Sequence, residues 1–197
     1  MTKKTGSKSL MFIAIMAALG NVLSFITMQL SPIVPNIPLG PINVSLALDI
    51  SHLTTFIAAI YGGPIIGALT GAVGGMVAAF EFGFSQGNIV TGIGLPLGKA
   101  LTGLTAGYVF NRVKDLRYTN ILAAVVSYIP EAILTYVLFK YLLPPATGIP
   151  VGIAVAIAVQ IIVKALLEMI ILGALLIWLT GNLGFRSFAE AFFEKSQ

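Results

Sequence analysis

The feature that most constrains this sequence is a succession of apolar runs, each about as long as a helix must be to cross the roughly 30 Å hydrocarbon core of a bilayer. No water is available there to the backbone, so a crossing segment must satisfy its own amides, which the α-helix does residue by residue. Six runs can be marked, at about 9–30, 44–61, 64–84, 89–110, 120–141 and 151–179. Gly62, Gly63 and Pro64 separate the second from the third, because two residues without side chains and a proline ring end one helix and open the next. The polar stretch 85–88, the charged stretch 111–119 and the proline-rich turn 142–150 supply later breaks. The first run is too long, and too free of a small-residue cleavage pattern, for a secretory leader, so it is expected to stay attached. Composition agrees with lipid as the solvent: 57% of residues are hydrophobic and 9% are charged, against about 25% charged in a soluble domain. These observations predict an all-α membrane protein, a six-transmembrane-helix bundle forming one domain over 1–197. The absence of cysteine excludes disulfides, thiolate metal sites and cysteine nucleophiles.

Orientation follows from the basic residues. Lys3, Lys4 and Lys8, then Arg112, Lys114 and Arg117, then Arg186 and Lys195 fall on one face, and the opposite loops 31–43, 85–88 and 142–150 contain no Lys or Arg. Lys140, beside the last of these, runs against the rule. The bias places both termini in the cytoplasm, and it reads the net charge of +4 as orientation, with no nucleic-acid partner. In the tail 182–197, Leu183, Phe185, Phe188, Phe192 and Phe193 share a helical stripe, which predicts a short amphipathic helix in the inner interface. In the loop 31–43, Pro32, Pro35, Pro38 and Pro41 recur every third residue, the period of a polyproline II helix, and predict a stiff outer gating loop.

Helices in lipid approach closely where small residues let backbones touch. Gly63, Gly67, Gly71, Gly75 and Ala79 make such a stripe on the third run, and the fourth carries Gly94 with Gly98 and Gly103 with Gly107. Both stripes are read as packing within the bundle, while the pair Ala14 and Ala18 on the first run fits either internal packing or a partner subunit.

Ionisable side chains within apolar spans are costly and mark functional sites by default. Asp49, His52 and Glu81 fall in the outer part of the spans, and Lys99, Glu131, Lys164 and Glu168 nearer the midplane. Lys164 and Glu168 are four apart, and Asp49 and His52 three apart, so internal ion pairs stand beside ligand contacts as readings of both. Glu81, beside Phe82 and Phe84, suits an aromatic or cationic solute. Glu131 follows the helix-kinking Pro130 and either borders a cavity or pairs with Lys99 or Lys164. Together they predict an outward-facing pocket for a small water-soluble organic molecule. Residues 92–100, GIGLPLGKA, lack the first glycine and the Ser/Thr of a phosphate loop, so the chain is not expected to power itself with ATP. One histidine and no nucleophile motif predict neither metal, cofactor nor enzyme activity.

Ala14-x-x-x-Ala18, the segment LDISHLTTFIAAIYGGPIIGALTGAVGG at 48–75, LGKALTGLTAGYVFNR at 97–112 and the central Lys164 together resemble the substrate-binding S component of energy-coupling factor (ECF) vitamin transporters, over residues 10–179. The resemblance implies a multi-pass protein of a prokaryotic cell membrane that binds a vitamin or related micronutrient with high affinity. It implies a pocket formed by the later spans and closed by the loop between the first two. Ala14 and Ala18 would meet a transmembrane coupling subunit that joins two cytosolic ATPases, and the S component would topple to release substrate inside. Trp178 is the only tryptophan and lies at the inner end, a departure from a tryptophan-rich thiamine pocket. Riboflavin is slightly favoured over folate or a pyrimidine precursor, because a lysine in the last span fits such binders. On the residue pattern, the pocket residues are then Asp49, Glu81, Phe82, Phe84, Lys99, Glu131 and Lys164. The alternative is a proton-coupled secondary transporter, which calls for two related halves that spans one to three and four to six do not display.

Overall fold

The computed structural model describes residues 6–30, 32–33, 36–39, 42–45, 48–113 and 119–193, with the backbone alone at 36–39 and 42–45. Lys3, Lys4, Lys114, Arg117, Lys195, Pro35 and Pro41 lie outside the described residues. Among the described residues, five segments are long and apolar enough to cross a bilayer: Ser7–Leu30, Pro64–Gln86, Ile89–Arg112, Thr119–Thr147 and Val151–Gly181. Helix α1 is Ser7–Leu30, α2 is His52–Gly62, α3 is Pro64–Gly74 and α4 is Met76–Phe82. Helix α5 is Ile89–Arg112, α6 is Thr119–Val137, α7 is Leu143–Thr147, α8 is Val151–Gly181 and α9 is Leu183–Ala191. Large apolar side chains face outward as well as inward, Leu97, Leu122, Ile133 and Leu167 among them, as suits helices solvated by lipid. The interior holds Phe12, Phe56, Ile66, Tyr128, Met169, Leu172 and Leu176.

The expected second span, 44–61, takes a different form. A strand, Ile42–Ser45, precedes α2, whose 11 residues are shorter than a full crossing, yet the chain returns across the bundle here: Tyr61 at the end of α2 meets Phe185 of the same tail that packs on Phe12 near the start of α1. The polar sequence Asp49-Ile50-Ser51-His52 interrupts the apolar run, and the helix starts only at His52. The expected polyproline geometry is also corrected: β1, Asn36–Leu39, pairs antiparallel with β2, Ile42–Ser45, in the register Asn36↔Ser45 to Leu39↔Ile42. A polyproline helix leaves its amides to solvent, whereas this hairpin pairs them.

The glycine stripes pack within the bundle. A Cβ on Gly67 falls 2.6 Å from the Gly103 carbonyl oxygen, and those on Gly71 and Gly107 would run into the backbone at Lys99 and Pro64, so α3 and α5 meet backbone to backbone. Gly94 and Gly98 lie on another side of α5 and face Leu138 and Glu131.

The third span is broken at Gly75. There the Asn21 side chain of α1 donates to the Val73 carbonyl at 2.9 Å and accepts from the Val77 N–H at 2.9 Å, meeting both groups that an unbroken helix would pair with each other. In α6, Pro130 lies inside the helix, and a π-helical turn, Leu138–Leu142, leads into α7. The turn expected at 142–150 is thereby shortened. Pro144 and Pro145 fall in the first turn of α7, directly after the π-helical turn, and the chain reverses at Gly148 (φ 73°). Helix α9 folds back on the bundle: just beyond its end Phe192 and Phe193 meet the Phe12 ring, tilted and edge-on, at 5.1 and 5.0 Å, and Phe185 meets Tyr61 at 6.2 Å. Leu183 and Phe188 of the same tail are exposed.

Candidate functional site

The start of α2 is the centre of a buried polar network. Asp49 lies just ahead of the helix; its N–H donates to Glu168 Oε1 on α8 at 2.9 Å, and its Oδ1 accepts from the Ser51 N–H at 2.9 Å. Lys99 reaches from α5, and its Nζ donates to Ser51 Oγ. One residue on, His52 Nε2 lies 3.2 Å from Glu131 Oε2 on α6, and the same oxygen accepts from Thr102 Oγ1 on α5 at 2.5 Å. Lys164 Nζ is 3.6 Å from Glu168 Oε1, one turn along α8.

Local sequence explains how these groups meet. Lys99 and Thr102 are three apart on α5 and share a face. Gly98 on the neighbouring turn leaves room for the carboxylate, because a Cβ there would sit 2.9 Å from Glu131 Cγ. Lys99, Glu131, His52 and Glu168 are all buried, Lys99 at 4% exposure. Three carboxylates (Asp49, Glu131 and Glu168) face two ammonium groups and one imidazole. A buried charge persists only when paired and hydrogen-bonded, and these groups supply one another. His52 Nδ1 is buried without a hydrogen-bond partner among the described residues, and its ring lies between Phe56 and Tyr128, at 6.5 and 6.3 Å.

Beside the network, a cavity of about 60 Å³ opens between α5, α6 and α8. Glu131 belongs to both, and Thr91, Leu95, Tyr128, Thr135 and Phe139 are among the other walls. Its volume is several times the roughly 10–15 Å³ that one water needs on a comparable measure.

Of the residues singled out from sequence, Asp49, Lys99, Glu131 and Lys164 come together here. Glu81, Phe82 and Phe84, at and just beyond the end of α4, are exposed and outside the network; the Glu81 carbonyl accepts from Ser85 Oγ at 2.8 Å, and the Phe82 carbonyl accepts from Oγ1 of the cavity-wall residue Thr91 at 2.8 Å. The Lys164–Glu168 pair forms, but Asp49 and His52 do not join by hydrogen bond: Asp49 turns to the Ser51 amide and His52 to Glu131. Glu131 is met by His52 and Thr102 and not by Lys99 or Lys164, the pairing that stood as the alternative to a cavity-bordering carboxylate, because Lys99 is committed to Ser51 and Lys164 to Glu168. Ser51, Thr102 and Tyr128 were not anticipated; Thr102, one helical turn from Gly98 and Lys99, carried the one usable sequence signal. Ala14 and Ala18 are exposed on α1, while Phe12, Ile13, Met16, Ala17 and Gly20 turn inward.

Comparison with known proteins places this geometry. Residues 8–180 match the model of a family described as the ECF transporter substrate-specific component. The chain is similar in fold to a solved structure of the S component of a bacterial ECF transporter, with 24% identity and a TM-score of 0.56, over 95% of this chain and 98% of that one. No curated protein matches the chain.

Proposed function

The chain belongs to the family of ECF transporter substrate-specific components, and from that membership we infer that it captures a vitamin or vitamin-like micronutrient at the outer surface of a prokaryotic cell membrane and passes it to a coupling subunit with two cytosolic ATPases. As a family member it is a multi-pass membrane protein and a substrate-binding subunit, not an enzyme. The observation that carries the finer reading is the cavity between α5, α6 and α8, formed by the later helices and bordered by a buried carboxylate. The segment between α1 and α2 is the outer gate in this reading, tied to the bundle through Asp49, Ser51 and His52.

Ala14 and Ala18 are the coupling-subunit face; their exposure beside inward-turned neighbours supports this. Both termini lie on the cytoplasmic side, supported by the contact of Phe12 near the start of α1 with Phe192 and Phe193 near the end of the chain, and by Arg112 and Arg186. Riboflavin is the first ligand to test, although Lys164, the residue that favoured it, is paired with Glu168 in the structure. The discriminating experiment is to purify the chain in mild detergent and identify by mass spectrometry what co-elutes. A micronutrient at near-stoichiometric amount is expected; a preparation that neither carries nor binds any such compound counts against the reading. A proton-coupled secondary transporter is the alternative, favoured by the buried His52–Glu131 pair.

A further inference from the structure

The cavity beside Glu131 carries a statement about the ligand's chemistry, which rests on reading the chain as a substrate-binding subunit. Among the described residues of its walls Glu131 is the one carboxylate, and neither ammonium group of the network takes part in them. Lys99 Nζ is turned to Ser51 Oγ and Lys164 Nζ to Glu168, so both cations are spent on the network behind the cavity. The Glu131 side chain is about nine-tenths buried and fixed by its contacts with His52 Nε2 and Thr102 Oγ1. Around it the walls are mainly apolar or aromatic, with Leu95, Leu138, Phe139 and Ile161, relieved by the hydroxyl-bearing Thr91, Thr135 and Tyr128.

In such surroundings charges interact far more strongly than in water, and a ligand carboxylate or phosphate placed there would face Glu131 with no Lys or Arg among the described wall residues to receive it, while His52 meets the Glu131 Oε2 from the network side, outside the walls. A nitrogen group with hydrogens to give meets an acceptor that is already oriented. The volume, about 60 Å³, takes a head of several non-hydrogen atoms and leaves the rest of a larger ligand outside it.

We propose that the ligand enters this cavity head first with a flat N–H-donating nitrogen group, cationic or neutral, set against the Glu131 carboxylate, and that ligands presenting an anionic head are rejected.

Three probes of one size and different charge test this on the full chain in detergent: benzamidinium, benzamide and benzoate, each titrated by calorimetry and scored by thermal shift. The order expected is benzamidinium first and benzamide second, with benzoate at least tenfold weaker than benzamidinium. Equal binding of benzoate, or binding of none of the three, overturns the proposal. Glu131→Gln is expected to reduce the benzamidinium preference over benzoate at least fivefold, and a preference left intact in the folded variant also overturns it. Should that variant fail to fold, the comparison of probes on the unaltered protein decides alone. A co-purified ligand bound through a carboxylate head would end this inference while sparing the assignment as a binding subunit. Failure of the chain to support ATP-driven uptake with its coupling machinery would end that assignment and leave the order of the probes standing.

Discussion

Replacing Gly67 with alanine tests whether α3 is clamped between two neighbours. The added Cβ falls 2.6 Å from the Gly103 carbonyl oxygen on α5 and 2.7 Å from Ala59 Cβ on α2, where ordinary contact begins at 3.4 Å. Neither atom is the far end of a flexible side chain, one being backbone and the other a Cβ fixed to its helix, so the clash is relieved only by moving whole helices. Overpacking of this kind costs about 1–3 kcal/mol. Alanine returns about 1 kcal/mol through its better helix propensity, leaving a net loss of about 1–2 kcal/mol. Gly152→Ala in α8 is the control: nothing lies within 4 Å of its Cβ position, so the same change there should be neutral or stabilising by up to about 1 kcal/mol. Thermal unfolding in one detergent, followed by size-exclusion fluorescence, reads both. Gly67→Ala should melt below the parent and Gly152→Ala at or above it; a Gly67→Ala protein as stable as the parent would refute backbone-to-backbone packing of α3 against α5.

Other perturbations separate packing from function. Ala14→Trp or Ala18→Trp should abolish uptake by the assembled transporter while leaving ligand affinity and melting temperature within error, because both side chains face outward; a fall in affinity of the isolated protein counts against a partner face. Asn21→Ala leaves the Val73 carbonyl and Val77 N–H without their side-chain partner, a loss of about 1–3 kcal/mol that appears as a lower melting temperature. Glu81→Ala should leave ligand affinity unchanged in calorimetry, since Glu81 is exposed at the end of α4 and outside the network; a tenfold weakening would return it to the site.

What could be read from sequence was what a single helix reveals about itself. Apolar length marked the five long membrane helices found among the described residues, and small-residue spacing marked the faces on which α3 and α5 pack, since both follow from the bilayer and from helical period. Partner choice was less visible. Asp49 and His52 have the spacing of a helical pair, yet Asp49 precedes the helix, which frees its carboxylate to accept from Ser51 and leaves His52 for a carboxylate 79 positions away. Prolines at every third position suggested an extended rod, but cross-strand pairing of 36–39 with 42–45 depends on contacts no local period encodes. Asn21 looked like an ordinary polar residue in an apolar run; its role at Gly75 exists only once α1 lies beside α3 and α4. Glu81 is exposed and outside the network, and a carboxylate flanked by aromatics near a span's end looks the same in sequence whether it faces a pocket or the outside.

The central claim is that this chain catches a solute and depends on other subunits for energy. Uptake into proteoliposomes tests it most directly, with the chain reconstituted alone under an imposed proton or sodium gradient and then together with a coupling subunit and ATPases supplied with ATP. Binding without accumulation in the first case, and ATP-dependent accumulation in the second, is the predicted result; concentration of solute by the chain alone, driven by the gradient, would contradict it.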